Sequence, residues 1–163
     1  MTPDAIALAN YFVDLAQEHN APITQFGLMK RVYITHGFCL AALNKSAINP
    51  RFDSVEAWKY GPVIPSVYHS FKHNQSKPIE DKSIIFKGME NGVPQFGEPE
   101  LQDEEIKQVA RFVWNRYVNF TDTEIINLTH RKGTPWAYCY EEGMNKKIPD
   151  FVTRAYYNKL IKR

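Results

Sequence analysis

The sequence predicts a mainly α (α+β) fold, in which a single compact helical domain carries a small β-hairpin excursion. Two observations predict the helices: apolar residues recur at helical spacing along much of the chain, and Thr or Asp residues suited to capping precede several of these stretches. A third observation predicts the hairpin, because Asn91-Gly92 lies between two short strand-like runs. A chain of 163 residues can bury one hydrophobic core and is too short to suggest two, so we expect one domain spanning residues 1–163.

The first two helices are predicted from their caps and apolar faces. The first should run from about Pro3 to His19, with Thr2 as its cap. The second should begin after Thr24, which can cap it in the same way. Its buried face is predicted to comprise Leu28, Val32, His36, Cys39, Leu40 and Leu43. One histidine is therefore expected in the middle of an apolar stripe.

The middle of the chain is predicted to contain the strands. Residues 44–54 read as a loop and residues 55–58 as a short extended piece, after which Pro65 begins a helix that reaches about His73. Residues 83–87 and 93–96 should form the two strands of the hairpin. Because a two-stranded hairpin is marginally stable alone, we expect it to lean on the helical body.

Capping patterns also define the last third of the chain. Asp103 should cap a helix, Thr121 and Glu124 should form the capping box of the next, and Thr134 should cap a short segment. The last helix should begin near Asp150. Its predicted core residues are Val152, Ala155, Tyr156 and Leu160.

Composition narrows the classes of function. Twenty basic and 18 acidic side chains give a net charge of +2, which is less basic than proteins that depend on phosphate contacts usually are. The beginning of the chain lacks a basic leader, and no apolar run approaches the roughly 20 residues of a membrane span. The two cysteines, Cys39 and Cys139, are too few for a disulfide framework. We therefore expect a cytoplasmic protein with no membrane association.

Two sets of residues could suggest catalysis or metal binding. His69 and His73 lie one helical turn apart, but Ser70 stands where a zinc-protease motif requires Glu, and too few ligands accompany them. The second set comprises His36, Cys39, His130 and Cys139. Its spacing matches no metal knuckle, and buried cysteines commonly act as small apolar residues. We predict no catalytic residue, no metal and no cofactor. A small metal-dependent hydrolase that uses His36, His69, His73 or His130 stays an alternative.

The stretch from Glu56 to His73 is the densest in aromatic residues and backbone punctuation. Gly61-Pro62 and Pro65 restrict the backbone, and a rigid corner that carries aromatic side chains loses little entropy when a partner binds. Trp58 is expected to pack in the core. The predicted partner-binding residues are Tyr60, Tyr68, His69 and Lys72. The acidic segment 98–105 is the competing surface.

Three stretches of the chain, in order, are "FGLMKRVYITHGFCLAAL", "EAWKYGPVIPSVYHSFK" and "LTHRKGTPW". They resemble the three signatures of the SocA-like or Panacea antitoxin domain, which also occurs in phage-associated proteins related to GepA. The resemblance extends from Ala5 to about Tyr156, although "QFGLMK" departs from the usual Lys-Leu-Gln-Lys run of the family. The residues of these signatures that we predict to be structural are His36, Trp58, Gly61, Pro62, Pro65, His130, Pro135 and Trp136.

The resemblance implies an antitoxin of a two-component toxin–antitoxin system. Members of the family neutralise unrelated toxins by direct protein binding, and no enzymatic activity is established for the domain. The resemblance does not identify the toxin or the residues that touch it. A nucleic-acid-binding regulator of its own operon is a further alternative, although no helix-turn-helix pattern with a basic recognition helix is evident in the sequence.

Overall fold

The computed structural model of the chain describes residues 4–162 and has the predicted mainly α (α+β) architecture. Its helices are α1 (Ala5–Glu18), α2 (Gln25–Ala42), α3 (Pro65–Phe71, continued by a 3₁₀ turn over Lys72–Asn74), α4 (Glu104–Tyr117), α5 (Asp122–His130), α6 (Pro135–Cys139) and α7 (Asp150–Ile161). Its strands are β1 (Glu56–Trp58), β2 (Gly61–Val63), β3 (Ile85–Glu90), β4 (Val93–Gly97) and β5 (Lys146–Lys147). The extent of the domain, 1–163, stays a prediction.

Helix α2 is the centre of the fold. It packs against α1, α3, α4, α5 and α7, and 15 of its 18 residues are buried. The predicted stripe with His36 is buried except for Leu43, which is half-buried, and the opposite face is buried as well and includes Lys30 and Arg31. The polar groups are tolerated because they bond to backbone carbonyls: the Arg31 guanidinium donates to Gly27 O and Tyr117 O.

The helix caps agree with the sequence at all but one position. Asp103, Thr121 and Thr134 each accept backbone N–H groups at the start of their helices, as does Thr24 at the start of α2. For α1, the predicted cap Thr2 lies outside the described residues. Asp4 caps this helix instead, because its carboxylate accepts the N–H groups of the second and third helical residues at 2.7 and 3.3 Å.

One antiparallel sheet was only partly predicted. β1 pairs with β2 on one side, with Trp58 opposite Gly61, and with β5 on the other, with Glu56 opposite Lys147. The sequence indicated an extended piece at β1 but neither partner strand. β2 and β5 are too short, at three and two residues, to show a period-two pattern.

The hairpin β3–β4 is confirmed, but its expected packing is wrong. Asn91 and Gly92 form its turn with φ of 51° and 77°, as a two-residue hairpin turn requires. Phe86 and Phe96 form a cross-strand pair that stays 56% and 67% exposed. The base of the hairpin is tied to α1 where Asn10 exchanges two hydrogen bonds with the backbone of Ser83.

The predicted core face of α7 is only partly correct. The predicted residues Val152, Tyr156 and Leu160 are half-buried and pack against the core, but Ala155 is exposed, and the fully buried residues are Thr153 and Tyr157. The reason lies in α2: Gly37 leaves room for the Tyr157 ring, which would lie 2.3 Å from a Cβ at that position. This close approach fixes how α7 is rotated against α2.

Candidate partner-binding surface

The β1–β2 hairpin rests on a buried lysine. Lys30 of α2 is 3% exposed, and its ammonium group donates to the carbonyl of Pro62 at 2.8 Å. Burial lowers the pKa of Lys30 to about 7. This buried hydrogen bond therefore anchors β2 to α2.

Gly61 is required where the hairpin meets this lysine. Its φ of 121° lies in a region that side chains rarely adopt. A Cβ there would lie 2.9 Å from Lys30 Nζ and 3.6 Å from His130 Cβ. The Gly-Pro pair predicted as a rigid corner thus fits closely against α2 and α5.

Aromatic side chains join the corner to the short helix α6. The indole N–H of Trp136 donates to the carbonyl of Trp58. Trp136 also stacks on Tyr140 with ring centroids 4.6 Å apart and meets His130 edge-on at 5.3 Å. Trp58 in turn meets Tyr68 of α3 at 5.0 Å. The structural signature residues are therefore assembled in one place, except that His36 lies elsewhere.

The four predicted partner-binding residues lie on and around this corner. Tyr60, at the tip of the β1–β2 turn, is 68% exposed, and His69 and Lys72 are exposed on α3 and the 3₁₀ turn after it. Tyr68 is half-buried, with its ring 5.8 Å from Lys72 Nζ and 5.2 Å from the His69 ring. The arrangement is an exposed aromatic and cationic edge on a fixed support. Its role in binding stays a prediction.

His36 is held by two hydrogen bonds. Its Nδ1 accepts the N–H of Ala47 at 3.3 Å, so Nε2 carries the proton and donates to Asp150 Oδ1 at 3.2 Å. This bond lowers the pKa of the Asp150 carboxyl. The pair joins α2 to the start of α7, as expected for an internal imidazole.

The residues of the alternative metal site have different surroundings. Cys39 is buried near Asp103 and Lys45, and burial raises the pKa of its thiol to about 12. His130 packs on Trp136 instead. Among residues 4–162, no three His, Cys, Asp or Glu side chains come together in a way that could hold a metal ion. α3 also ends at Phe71, before the second histidine of the predicted pair.

The competing acidic surface is largely engaged in ion pairs. Lys45 Nζ lies 2.8 Å from Asp103 and 2.7 Å from Glu105, and its hydrogen bond to Asp103 lowers the pKa of that carboxyl. Lys82 lies 3.5 Å from Glu98. Much of the negative charge of this segment is therefore compensated within the chain.

The sequence did not predict a groove along α7, which we name the α7 groove. It consists of a cleft of about 640 Å³ between α6 and α7 and an adjoining cleft of about 400 Å³ bounded by α2 and by α4 to α7. Pro135, Tyr156 and Leu160 line both clefts. The apolar stripe assigned to the core of α7 was the one pattern in the sequence that could have revealed it.

Within residues 4–162, none of the helices combines the length and the hydropathy that a membrane span requires.

Comparisons with known proteins identify the family of the chain. The family model described as "Antitoxin SocA-like, Panacea domain" matches residues 28–137, which include most of α2, the corner and most of α6. The Antitoxin SocA of Caulobacter vibrioides (strain NA1000 / CB15N) is 32% identical to this chain over 133 residues, which is 82% of this chain and 68% of that protein. No solved structure shows significant similarity to the chain.

Proposed function

Because the chain belongs to the SocA-like, Panacea-domain family of antitoxins, we propose that it is the antitoxin of a two-component toxin–antitoxin system and neutralises its cognate toxin by direct protein–protein binding. The role is non-catalytic. Support comes from His36, Cys39 and His130, which pack or form hydrogen bonds inside the fold, whereas His69 and His73 lie on the surface.

The observation that carries the binding role is the corner formed by β1, β2 and α3. Tyr60 and Tyr68 offer rigid aromatic surface, and His69 and Lys72 add polar and cationic groups beside it. Aromatic side chains on a pre-ordered support give up little entropy on binding and commonly dominate interfaces. The cognate toxin therefore contacts this corner, in the cytoplasm, where both proteins are made.

The test is to co-express the protein with the open reading frame that adjoins the gene of the protein, and to measure growth rescue and co-purification. Tyr60→Ala with Tyr68→Ala should stay folded and lose rescue, because removing an aromatic anchor from an interface centre costs about 2 kcal/mol or more. Phe96→Ala is the matched control, since Phe96 is as exposed as Tyr60 but lies on the other hairpin.

Charge reversal at Glu104 and Glu105 tests the competing surface. We expect the reversed protein to rescue growth, because exposed acids at a rim contribute little. Melting curves for every variant separate misfolding from lost contact. Rescue that survives the double tyrosine change and fails on reversal of the acids would move the binding site to the acidic segment.

A further inference from the structure

The α7 groove exposes an apolar helix face that the described chain covers only in part. Val152, Ala155 and Tyr156 follow helical spacing and line the larger cleft; Val152 and Tyr156 also pack partly against the core, whereas Ala155 is exposed. Phe151 and Tyr138 stand at its rim and are 71% and 85% exposed. Contiguous exposed apolar surface of this kind marks an interaction site more often than a scattered single residue does.

The charges that line the α7 groove all have the same sign. Arg116 and Arg131 line the smaller cleft and Lys159 lines the larger one, whereas no described acidic side chain lines either. None of these three cations forms an ion pair within residues 4–162. The groove therefore combines apolar walls with uncompensated positive charge.

From this combination we infer that the α7 groove binds a segment of the toxin in which a bulky apolar side chain is followed or preceded by carboxylates. The apolar side chain fills the larger cleft against Phe151 and Tyr156, and the carboxylates reach Arg116 and Arg131. An arginine fork suits a carboxylate because it donates two parallel hydrogen bonds. This inference rests on the proposed function, since the ligand is part of the toxin.

The groove and the corner lie on two sides of the same short helix. Trp136 of α6 bonds to the corner, while its neighbour Pro135 lines both clefts. One toxin molecule could engage both surfaces, and the second contact would then form at high effective concentration. The groove is thus a second, chemically distinct part of one interface.

The experiment uses short overlapping peptides that tile the toxin, with binding to the full-length protein measured by fluorescence polarisation. Arg116→Glu with Arg131→Glu should lower the affinity for the bound peptide about tenfold or more. Lys132→Glu is the control, because Lys132 is exposed beside Arg131 but lines neither cleft. Phe151→Asp should weaken it similarly, with Phe86→Asp as control. Added salt should weaken wild-type binding, because the contacts are ionic.

The outcomes separate this inference from the proposed function. If the wild-type protein rescues growth but no peptide binds, or the groove variants bind as wild type does, the groove inference is wrong and the antitoxin role stands. If RNA oligonucleotides displace the peptide, and Phe151→Asp leaves their affinity unchanged, the groove is a nucleic-acid site and the inference is also wrong. If the wild-type protein neither rescues nor co-purifies, both fail together.

Discussion

The β1–β2 and β3–β4 hairpins are both antiparallel pairs with two-residue turns, but they are supported differently by the rest of the chain. All three residues of β2 are buried, Lys30 and Trp136 bond to the hairpin backbone, and β5 extends its sheet. β3–β4 keeps most of its side chains exposed and is fastened mainly at its base. A turn pattern in the sequence therefore predicts that a hairpin forms, whereas the rigidity of the hairpin depends on contacts with residues far away in the chain. We propose that the toxin binds the better supported of the two, β1–β2.

The largest effect should come from matched glycine substitutions. Gly61 and Gly88 have φ of 121° and 112°, but their surroundings differ: a Cβ added at Gly61 would lie 2.9 Å from Lys30 Nζ, whereas one added at Gly88 would meet nothing within 4 Å. Gly61→Ala should lower the free energy of unfolding by about 2–3 kcal/mol through backbone strain and displacement of the lysine. Gly88→Ala should cost under about 1 kcal/mol, because β3–β4 can open locally. Equal losses in urea titrations would show that the hairpins are equally integrated.

The next largest effect should come from His36, which bonds to Asp150 at the start of α7. His36→Ala removes the imidazole that bonds both Asp150 and the backbone of Ala47, and should cost about 1–3 kcal/mol. Because the histidine is buried away from the corner, thermal stability should fall while toxin rescue persists. An unchanged melting temperature together with lost rescue would instead identify His36 as a contact residue.

Lys30→Met should remove part of the pH dependence of stability. The pKa of Lys30 is about 7 in the folded protein and 10.5 as a free side chain, so between these values the unfolded chain binds the extra proton. Stability consequently rises with pH across this window and is constant below it. The variant should lose up to about 1.4 kcal/mol per pH unit of this slope. Identical slopes for both proteins would contradict the lowered pKa.

That slope is best measured by urea unfolding below about pH 8.5. At higher pH the buried Cys39 thiol, whose pKa is raised to about 12 from 9.0, adds an opposite dependence. The comparison of variant with wild type cancels the groups that the two proteins share.

The smallest effect belongs to the exposed hairpin. Phe86→Ser with Phe96→Ser should change the free energy of global unfolding by about 0.5 kcal/mol or less, since both rings are already mostly exposed. Amide hydrogen exchange should show β3–β4 opening far more readily than β1–β2 in the wild-type protein. Strong protection of β3–β4, or a large loss of stability, would show that the hairpin packs against the body as the sequence had suggested.

Local features were the predictable part of this fold. Thr24, Asp103 and Thr121 cap their helices because the interaction lies within three residues of each cap. The rotation of α7 was not predictable, since it depends on the space left by Gly37 on another helix. The burial of the charged residues inside α2 was equally unpredictable, because Lys30 and Arg31 donate to the carbonyls of Pro62 and Tyr117, which belong to distant segments.

The candidate site likewise has a part that the sequence predicted and a part that it did not. The corner was found because its prolines and aromatic residues are close in sequence, and Tyr60 proved exposed. The α7 groove was missed because its walls come from five helices, and because the stripe through Tyr156 follows the same spacing as a core face. An apolar stripe does not tell whether its partner is in the same chain or in another.

The fit of Tyr157 against Gly37 has a consequence for synthesis on the ribosome. These two residues are 120 positions apart in the sequence. Two other long-range contacts also involve the end of the chain: β5 pairs with β1, and Asp150 bonds to His36 of α2. Until α7 has left the exit tunnel, the side of α2 around Phe38 lacks its cover, and such distant closures are slow. A nascent or prematurely terminated chain therefore presents apolar surface to chaperones and proteases, so that only chains carried through α7 accumulate as folded protein.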